Sequence, residues 1–315
     1  MRSTFAVVMM LGVVTATPSE ALEVGAASPV VVNQSAKQNL ELSGDLAVWM
    51  EDRVYNGLVL YDFTTQAETL LGIRGRFPKI DGTRIVYMVE NPNVFAPYDI
   101  HVYDVITGSD TQVSSSGWAT RADISGSWVG YVEGPNGGTL LAKNIDTGVE
   151  IILPTVQAYD FPRMDGEWAV YRDNRAGNYD VYAYDLSTMT EIQITGDPRN
   201  ETVTDVAGGR VVFERQLDDG TVDIYAHDLS TDITVPVSTR TGALDGAIGG
   251  GRISGSLVVY EGRRNSGRPD VYLYDLATSS RIQVTDNDLY ETYATVSGYR
   301  VMWIQDAAVV AAPVQ

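Results

Sequence analysis

The side chains that most often carry chemistry are scarce in this 315-residue sequence. It contains two histidines, His101 and His227, and no cysteine. Each histidine lies in an alternating apolar segment, DIHVYD or DIYAHD, with no second histidine nearby in sequence. A zinc site or a Ser-His-Asp triad needs more than an isolated histidine, so both are interpreted as strand-face residues. Thiol catalysis, Cys-ligated zinc and disulfides are excluded.

Acidic clusters offer a second kind of chemistry. They occur at DNRAGNYD (173–180), DDGTVD (218–223) and DNDLYE (286–291). Their oxygens suit calcium, but none of the three clusters follows the EF-hand loop pattern. Repeated Asp residues before and at the end of the alternating segments are interpreted as turn-fixing side chains. We therefore predict no cofactor and assign no metal ligand or catalytic residue, with calcium left open.

Net charge and the N-terminus restrict the class of partner and the location. The formal net charge is −19, which repels phosphate backbones and anionic lipids, so nucleic-acid and membrane-surface partners are not expected. The N-terminus has one basic residue, then the apolar run Phe5–Val14 and then small residues. This pattern predicts a signal peptide over residues 1–21, with cleavage after Ala27 as a second possibility. A buried first strand or helix is the alternative. No apolar run is long enough to span a membrane, so we expect a secreted or periplasmic protein.

Repetition dominates the rest of the chain. DVYAYDLSTMTEIQITG, residues 180–196, returns in pattern as DVYLYDLATSSRIQVTD, residues 270–286. A shorter element of an apolar residue, a small or acidic residue and Gly recurs about every 42 residues, which is the period of a propeller blade. It occurs as LSG (42–44), IDG (80–82), ISG (124–126), MDG (164–166), VAGG (206–209), ISG (253–255) and VSG (296–298).

Each repeat predicts four strands, which we label A to D from the Gly element onward. The element is followed by an aromatic-ended run such as LAVW, an alternating segment such as DVYAYD, a short turn and a segment such as EIQIT. Residues 307–315 can supply the seventh C strand and Val30–Val32 the seventh D strand, which leaves no open sheet edge. The prediction is an all-β, seven-bladed β-propeller of four-stranded antiparallel blades, a single domain over residues 22–315. A six-bladed ring is the alternative.

These repeats resemble a known family. DVYAYDLSTMTEIQIT after WAVYRDNRAGNY, and DVYLYDLATSSRIQVT after LVVYEGRRNSGRP, look like the TolB-like propeller repeat, also called the WD40-like or PD40 repeat. The resemblance covers Pro29–Gln315 and implies the fold but no particular function. TolB, as the family implies, carries an α/β domain before its propeller, whereas these repeats begin almost at the predicted cleavage site. The chain is therefore not expected to be TolB itself.

Loop lengths distinguish the two faces of the predicted ring. The A–B and C–D turns are short, whereas the D–A and B–C connections, which emerge together, are longer and varied. We call this second side the long-loop face and predict that it binds the partner, because function in repeat folds concentrates in such loops. Aromatic and Arg side chains supply most interface energy. The candidate contacts are Arg76, Phe77, Trp118, Arg121, Tyr159, Phe161, Arg163, Tyr290 and Tyr293.

A second set of candidates stands one position before the apolar residue of each A strand. If A is the innermost strand, these side chains form a charge belt around the central channel. The belt could bind a ligand or could neutralise itself, and separations beyond about 8 Å, one Debye length, would rule it out. The belt positions are Glu41, Lys79, Asp123, Arg163, Asp205, Arg252 and Thr295.

The function favoured by the sequence is binding. We expect an exported, non-catalytic monomer that binds another extracytoplasmic protein or a peptide on the long-loop face. The alternative is a carbohydrate-binding or carbohydrate-active propeller that uses the face aromatics and a pair of carboxylates at the channel mouth. Any one of the aromatic residues could instead be a packing residue that caps a blade. Enzymatic activity is left open, with a non-catalytic role preferred.

Overall fold

Seven antiparallel blades of four strands each form a closed ring, which confirms the predicted seven-bladed propeller and excludes the six-bladed alternative. A single pairing, Val222 with Ala247, joins the sheets of two neighbouring blades. The predicted signal peptide lies outside the described residues. The computed structural model describes residues 22–52, 57–90, 98–134, 138–156, 161–219, 221–238, 245–263 and 267–315.

The blades follow one another along the chain, with strand A innermost and strand D outermost. Blades 1 to 3 contain β2 (Lys37–Ser43), β3 (Leu46–Glu51), β4 (Gly57–Asp62) and β5 (Ala67–Arg74); β6 (Arg76–Asp81), β7 (Arg84–Glu90), β8 (Tyr98–Asp104) and β9 (Asp110–Gln112); β10 (Ala119–Ser125), β11 (Trp128–Glu133), β12 (Thr139–Asn144) and β13 (Glu150–Ile152). Blades 4 and 5 contain β14 (Arg163–Asp165), β15 (Trp168–Asp173), β16 (Asp180–Asp185) and β17 (Thr190–Gln193); β18 (Glu201–Ala207), β19 (Arg210–Gln216), β20 (Val222–Asp228) and β21 (Ile233–Ser238). Blades 6 and 7 contain β22 (Asp245–Ser254), β23 (Leu257–Arg263), β24 (Pro269–Asp275) and β25 (Ser280–Gln283); β26 (Glu291–Ser297), β27 (Arg300–Gln305), β28 (Ala308–Pro313) and, from the other end of the chain, β1 (Ser28–Val32).

Blade 7 closes the ring with both ends of the chain, as predicted. Strand β1 pairs antiparallel with β28, from Ser28 opposite Ala311 to Val32 opposite Ala308. Before β1, Val24 bridges Val314, and cleavage after Ala27 would remove this contact. Because β1 covers the outer edge of β28, blade 7 has the same four strands as the others.

The core lies between the blades and is built mainly by the B and C strands, with apolar residues of strand A such as Leu40 and Ile124. Alternation in these strands sends successive side chains to the two blade faces, each of which packs on a neighbour. The aromatic residue that ends each apolar run in strand B is buried, which explains why the sequence repeats it. These residues are Trp49, Tyr87, Tyr131, Tyr171, Phe213, Tyr260 and Trp303.

The recurrent Asp at the end of strand C fixes the turn into strand D, as predicted. In each case a carboxylate oxygen accepts a backbone N–H from the residue two positions later, which is an Asx turn. The distances are 2.8 to 3.0 Å. The residues are Asp62, Asp104, Asp185, Asp228 and Asp275.

The small or acidic residue of the Gly element links each blade to the next, a role that the sequence did not reveal. Its side-chain oxygen accepts the N–H of a turn glycine in the following blade, for example Ser43 Oγ from Gly82 at 2.9 Å. Ser297 Oγ accepts from Gly44 at 2.8 Å and so completes the circle. Links of the same kind join Asp81 to Gly126, Ser125 to Gly166, Asp165 to Gly209 and Ser254 to Gly298.

Ala207 of blade 5 interrupts this circle of side-chain links, because alanine has no side-chain acceptor. At this position Arg210 joins blade 5 to blade 6, since its Nη1 donates to Gly255 O at 3.2 Å. We expect Ala207→Ser to raise the free energy of unfolding by about 0.5 to 1 kcal/mol, the net value of one hydrogen bond. Ser254→Ala, which removes an existing link, is expected to lower it by about as much. Chemical denaturation measures both, and equal stability of the Ala207→Ser variant and the wild type would contradict the prediction.

Candidate functional site

Six of the seven innermost strands, over the residues that the structure describes, carry a backbone irregularity near the long-loop face. The register of strand A against strand B shifts just before the belt residue, for example between Arg76 and Lys79. At this bulge Phe77, Arg121 and Tyr293 have φ values of 51°, 59° and 54°. Residues other than Gly adopt this left-handed region at a cost of about 1 kcal/mol or more, and such bulges re-aim side chains.

The bulges are held by the preceding blade. The residue that follows the buried aromatic of strand B accepts a backbone N–H from the bulge. Met50 Sδ accepts from Phe77 at 3.2 Å and Met88 Sδ accepts from Arg121 at 3.3 Å. In blades 5 and 6 a carboxylate does the same: Glu214 Oε1 accepts from Gly250 at 2.8 Å and Glu261 Oε1 from Ala294 at 3.1 Å. Two sulfur atoms and two carboxylates therefore fix the same backbone shape.

Glu261 is a buried acceptor with a perturbed pKa. Burial raises its pKa to about 7, and the nearby carboxylate of Glu214 adds to the rise. The Ala294 N–H and the Arg252 guanidinium act in the opposite direction. Around neutral pH the carboxyl of Glu261 is thus divided between its protonated and ionised forms.

Two of the candidate contact residues meet at the bulges. The rings of Phe77, in blade 2, and Phe161, in blade 4, lie with their centroids 5.9 Å apart and their planes tilted by 53°. The Arg163 guanidinium carbon lies 5.8 Å from the centroid of Phe161. We call Phe77 and Phe161 the aromatic floor. Phe77 remains 37% exposed, so the floor presents apolar surface on the long-loop face.

The other candidate contacts are more dispersed. Trp118, Tyr290 and Tyr293 are partly exposed, at 37%, 47% and 39%. Arg76 is engaged with Glu90, with 2.7 Å between Nη2 and Oε1. Arg121 occupies a bulge, and Tyr159 lies outside the described residues. The structure therefore brings together Phe77, Phe161 and Arg163, and the remaining positions stay candidates.

Three residues of the predicted belt, Glu41, Lys79 and Arg252, are in direct contact in the channel. The Glu41 carboxylate bonds to Lys79 Nζ and lies 3.2 Å from Arg252 Nη2. Arg163 Nε and Arg252 Nη1 both donate to Thr204 O, at 2.5 and 2.8 Å. The separations of Glu41 from Lys79 and from Arg252 fall well inside the predicted 8 Å limit.

The belt carboxylates are also bonded to the backbone. Asp123 accepts the N–H of Met164 at 3.1 Å, and Asp205 accepts the N–H of Ile253 at 2.8 Å. Burial raises the pKa of both Asp residues.

Burial lowers the pKa of Lys79 to about 8, and the Arg252 charge lowers it further. Burial alone would raise the pKa of Glu41, but Arg252 and Lys79 hold it below its usual value. The belt lines a channel cavity of about 200 Å³ that reaches the A–B turns. Its charges satisfy one another, which favours mutual neutralisation over ligand binding.

A polar cleft between blades 4 and 5 was missed in the sequence. It has a volume of about 340 Å³ on the long-loop side and is lined by Arg172, Tyr179, Asn200, Thr202, Glu214, Gln216 and Val222. The Arg172 guanidinium carbon lies 4.4 Å from the centroid of the Tyr179 ring, and its Nη1 donates to Thr202 Oγ1 at 2.7 Å. One signal was available, because Arg172 stands where Met50 and Met88 stand in other repeats.

Metal-ligating side chains do not cluster in the part of the chain that the structure describes. No group of three His, Asp or Glu side chains there is arranged to hold a metal ion. His101 Nδ1 lies 3.1 Å from Asp110 and His227 Nδ1 lies 2.9 Å from Thr234, both across a C–D hairpin. The histidines are thus strand-face residues, as predicted. No helix among the described residues is long and apolar enough to cross a membrane.

Comparison with known proteins gives matches of structure only. No family model matches the chain, and no curated protein matches it. The β-propeller domain of the Trilobed protease from Pyrococcus furiosus, described as having an open velcro topology, is 12% identical, with 90% of this chain and 94% of that chain covered and a TM-score of 0.70. An oligogalacturonate lyase in complex with manganese is 12% identical over 94% of this chain and 96% of that chain, with a TM-score of 0.58.

TolB from Acinetobacter baumannii is 17% identical over 87% of this chain and 78% of that chain, with a TM-score of 0.49, too low to carry an argument. Identities this low concern the fold and leave the activity of this chain undecided. Unlike the open velcro topology described for the Pyrococcus domain, this ring is closed by the pairing of β1 with β28. The chain is a seven-bladed β-propeller whose repeats resemble those of TolB-like proteins, without being TolB itself.

Proposed function

We propose that this protein is an exported binding protein that holds a peptide or a segment of another extracytoplasmic protein on its long-loop face, without catalysing a reaction. The observation that carries the proposal is the aromatic floor. Phe77 is held in a left-handed backbone conformation, yet its ring stays 37% exposed and contacts Phe161 of a blade two positions away. The strained backbone of Phe77 places an aromatic ring partly in solvent, where the ring gains little from packing. Contact of that ring with a binding partner explains the strain better than packing within the ring of blades does.

The chemistry of the floor indicates the kind of segment it would take. The two rings and the guanidinium of Arg163 form a surface on which one apolar or aromatic anchor residue can be buried. The net charge of −19 attracts positively charged partners at long range and raises their association rate at low salt. A basic segment with one apolar anchor is therefore the proposed ligand class.

The test is affinity capture from the exported fraction of the producing cells, with identification of the retained proteins. We expect the double variant Phe77→Ala, Phe161→Ala to retain at least about 10-fold less partner, because hot-spot aromatics are worth about 2 kcal/mol or more. Tyr299→Ala is the matched control, since this ring is 83% exposed in an A–B turn on the opposite face. Equal loss in the control variant, or full capture by the floor variant, would contradict the proposal.

Carbohydrate binding is the second candidate, and the cleft between blades 4 and 5 favours it. Its size falls near the lower end for small-ligand sites, and its lining combines the Tyr179 ring with polar groups of Arg172, Asn200 and Glu214. A glycan panel assayed beside the capture experiment separates the two proposals. Glycan binding that is lost in Tyr179→Ala but kept in the floor variant would replace the peptide proposal, and glycan turnover would make the protein an enzyme.

A further inference from the structure

Three blades begin strand B with an arginine that reaches the next blade. Arg84, Arg210 and Arg300 are the first residues of β7, β19 and β27. In each of them Nη1 donates to the carbonyl oxygen of the glycine in the next A–B turn, at 3.1 to 3.2 Å. The blade 2–3, 5–6 and 7–1 junctions therefore share one contact on the side of the ring that carries the A–B and C–D turns, which we call the short-turn face.

At two of these junctions the next blade also provides a carboxylate. Asp146, in the C–D turn of blade 3, bonds to Arg84 through both of its oxygens: Nη2 lies 2.9 Å from Oδ1, and Nη1 lies 3.3 Å from Oδ2. Asp45, in the A–B turn of blade 1, has its Oδ1 3.0 Å from Arg300 Nη1. Because Nη1 of Arg84 still donates to Gly126 O, one guanidinium can hold the backbone contact and the carboxylate together.

The blade 5–6 junction has neither of these acidic residues. Ala277 of blade 6 stands where Asp146 stands in blade 3, since the N–H of each donates to a side-chain oxygen of the residue that ends strand C, at 3.0 and 3.1 Å. Ser256 follows the turn glycine of blade 6, as Asp45 follows that of blade 1. Two positions that offer a carboxylate at the other junctions are thus neutral here.

The Arg210 guanidinium consequently keeps part of its hydrogen-bonding capacity. Its polar contacts within the described part of the chain are Gly255 O and Asp228 of its own blade, whose Oδ2 lies 3.4 Å from Nε. The other oxygen of Asp228 accepts backbone N–H groups of the C–D turn. The side of the guanidinium formed by Nη1 and Nη2, which binds a carboxylate at the blade 2–3 junction, is therefore open to a further acceptor.

A cavity of about 230 Å³ lies beside this guanidinium on the short-turn face. It is lined by Arg210 and by the two neutral positions, Ser256 and Ala277. The rest of the lining is mainly apolar and includes Ala226, Ile233, Val235 and Leu276. One guanidinium in a mainly apolar cavity complements a small molecule that carries a single anionic group.

We propose that this cavity binds a small carboxylate with an apolar tail, of the aryl or short alkyl class, whose oxygens pair with Arg210. The ligand carboxylate takes the place that Asp146 has on Arg84, and the tail packs against Ile233 and Leu276. An apolar cavity of about 150 Å³ holds benzene, so a cavity of about 230 Å³ accommodates a tail of that size together with its carboxylate. This site is separate from the long-loop face and does not depend on the function proposed for that face.

His227 borders the cavity without adding a positive charge at neutral pH. It is buried, and burial lowers the pKa of its imidazole below the usual value. Its Nδ1 lies 2.9 Å from Thr234 Oγ1, and its Nε2 lies 3.8 Å from Asp232 Oδ1. The positive charge that a carboxylate meets in this cavity is therefore the charge of Arg210, in a planar arrangement that suits bidentate pairing.

The test is calorimetric titration of the full chain with benzoate and hexanoate, each compared with its neutral amide. We expect each carboxylate to bind at least about 10-fold more tightly than its amide, because hydrogen bonds between charged groups are the stronger ones. Acetate, which has the carboxylate but almost no apolar surface, is expected to bind less tightly than benzoate or hexanoate.

Two substitutions at Ala277 separate the effect of charge from the effect of space. Ala277→Asp returns the carboxylate that the blade 2–3 junction has, so the chain itself occupies Arg210. Ala277→Asn fills nearly the same volume without a charge. We expect Ala277→Asp to bind benzoate at least about 10-fold more weakly than Ala277→Asn does. Arg210→Gln is expected to bring the affinity for benzoate down to that for benzamide, and the melting temperature of each variant checks that it is folded.

Several results would overturn the proposal. One is equal affinity of the wild type for benzoate and benzamide, or no binding of either carboxylate at millimolar concentration. Another is equal loss of benzoate binding in Ala277→Asp and Ala277→Asn, because the carboxylate would then not meet Arg210. Benzoate binding that survives Arg210→Gln but is lost in the double variant Phe77→Ala, Phe161→Ala would place the anion beside Arg163 on the aromatic floor instead.

Discussion

Replacing Lys37 by Met is expected to lower the free energy of unfolding by about 3 kcal/mol. The Lys37 ammonium is buried beside the closing blade and donates to Asn33 Oδ1, Ser35 O and Ala307 O at 2.7, 3.1 and 2.6 Å. It also lies 3.9 Å from a buried Glu51 oxygen. Three oxygen acceptors in this region lose a charged donor, and a hydrogen bond to a charged group contributes about 1.5 to 3 kcal/mol, so a loss of about 3 kcal/mol is expected for the three together.

Denaturant unfolding measures this loss, and the double variant Lys37→Met, Glu51→Gln is its control. We expect the double variant to regain part of the stability, because it also removes the charge of the carboxylate that faces the missing ammonium. The introduced amide also still offers an oxygen to the Trp49 indole, which in the wild type donates to Glu51 Oε2 at 3.0 Å. Hydrogen exchange in Lys37→Met should accelerate first in β1 and β28. A loss below 1 kcal/mol, or exchange that accelerates equally in all blades, would show that Lys37 does not secure the closure.

Replacing Glu41 by Gln is expected to cost a similar amount, about 3 kcal/mol, for a different reason. Glu41 is the shared partner of Lys79 and Arg252 in the channel. Without its charge, three cations of the belt face two anions at low exposure, and repulsion between them is only weakly screened there. Denaturant unfolding at neutral pH gives the magnitude.

The control for Glu41→Gln is the double variant with Lys79→Met, which restores two cations and two anions. We expect it to be more stable than the single variant, with a coupling energy of about 1 kcal/mol or more between the two positions. Simple additivity of the two single losses would mean that the belt charges do not act on one another. In that case the belt would no longer be explained as self-neutralising.

Much of the fold could be predicted because it depends on periodic residue types. The Gly element marks each A–B turn, the aromatic residue after it marks the buried end of strand B, and the count of repeats at the termini reveals the closure by β1. The charge belt was also predictable, because Glu41 and Lys79 occupy the same position in successive repeats. These features require only that equivalent positions in a repeat share one environment.

The site could be predicted only in part, because it depends on backbone geometry that residue types do not encode. Asn39 and Gly250, which favour positive φ, mark the bulge in blades 1 and 6, but Phe77, Arg121 and Tyr293 adopt positive φ in other blades without any such residue-type signal. The contact between Phe77 and Phe161 joins positions that are distant in the chain.

The number of blades has a consequence for how the ring closes. The belt charges alternate in sign from Glu41 in blade 1 to Arg252 in blade 6. Because seven is an odd number, a seventh charge would have the same sign as one of its two neighbours. The seventh position is instead the uncharged Thr295 of blade 7. An open arc of blades 1 to 6 therefore ends in opposite charges, Glu41 at one end and Arg252 at the other, which meet at 3.2 Å in the closed ring. Blade 7 combines β1 with β26, β27 and β28, so it is complete only when the two ends of the chain meet. Because the number of blades is odd, Glu41 and Arg252 carry opposite charges, and these charges attract each other across the position that blade 7 fills.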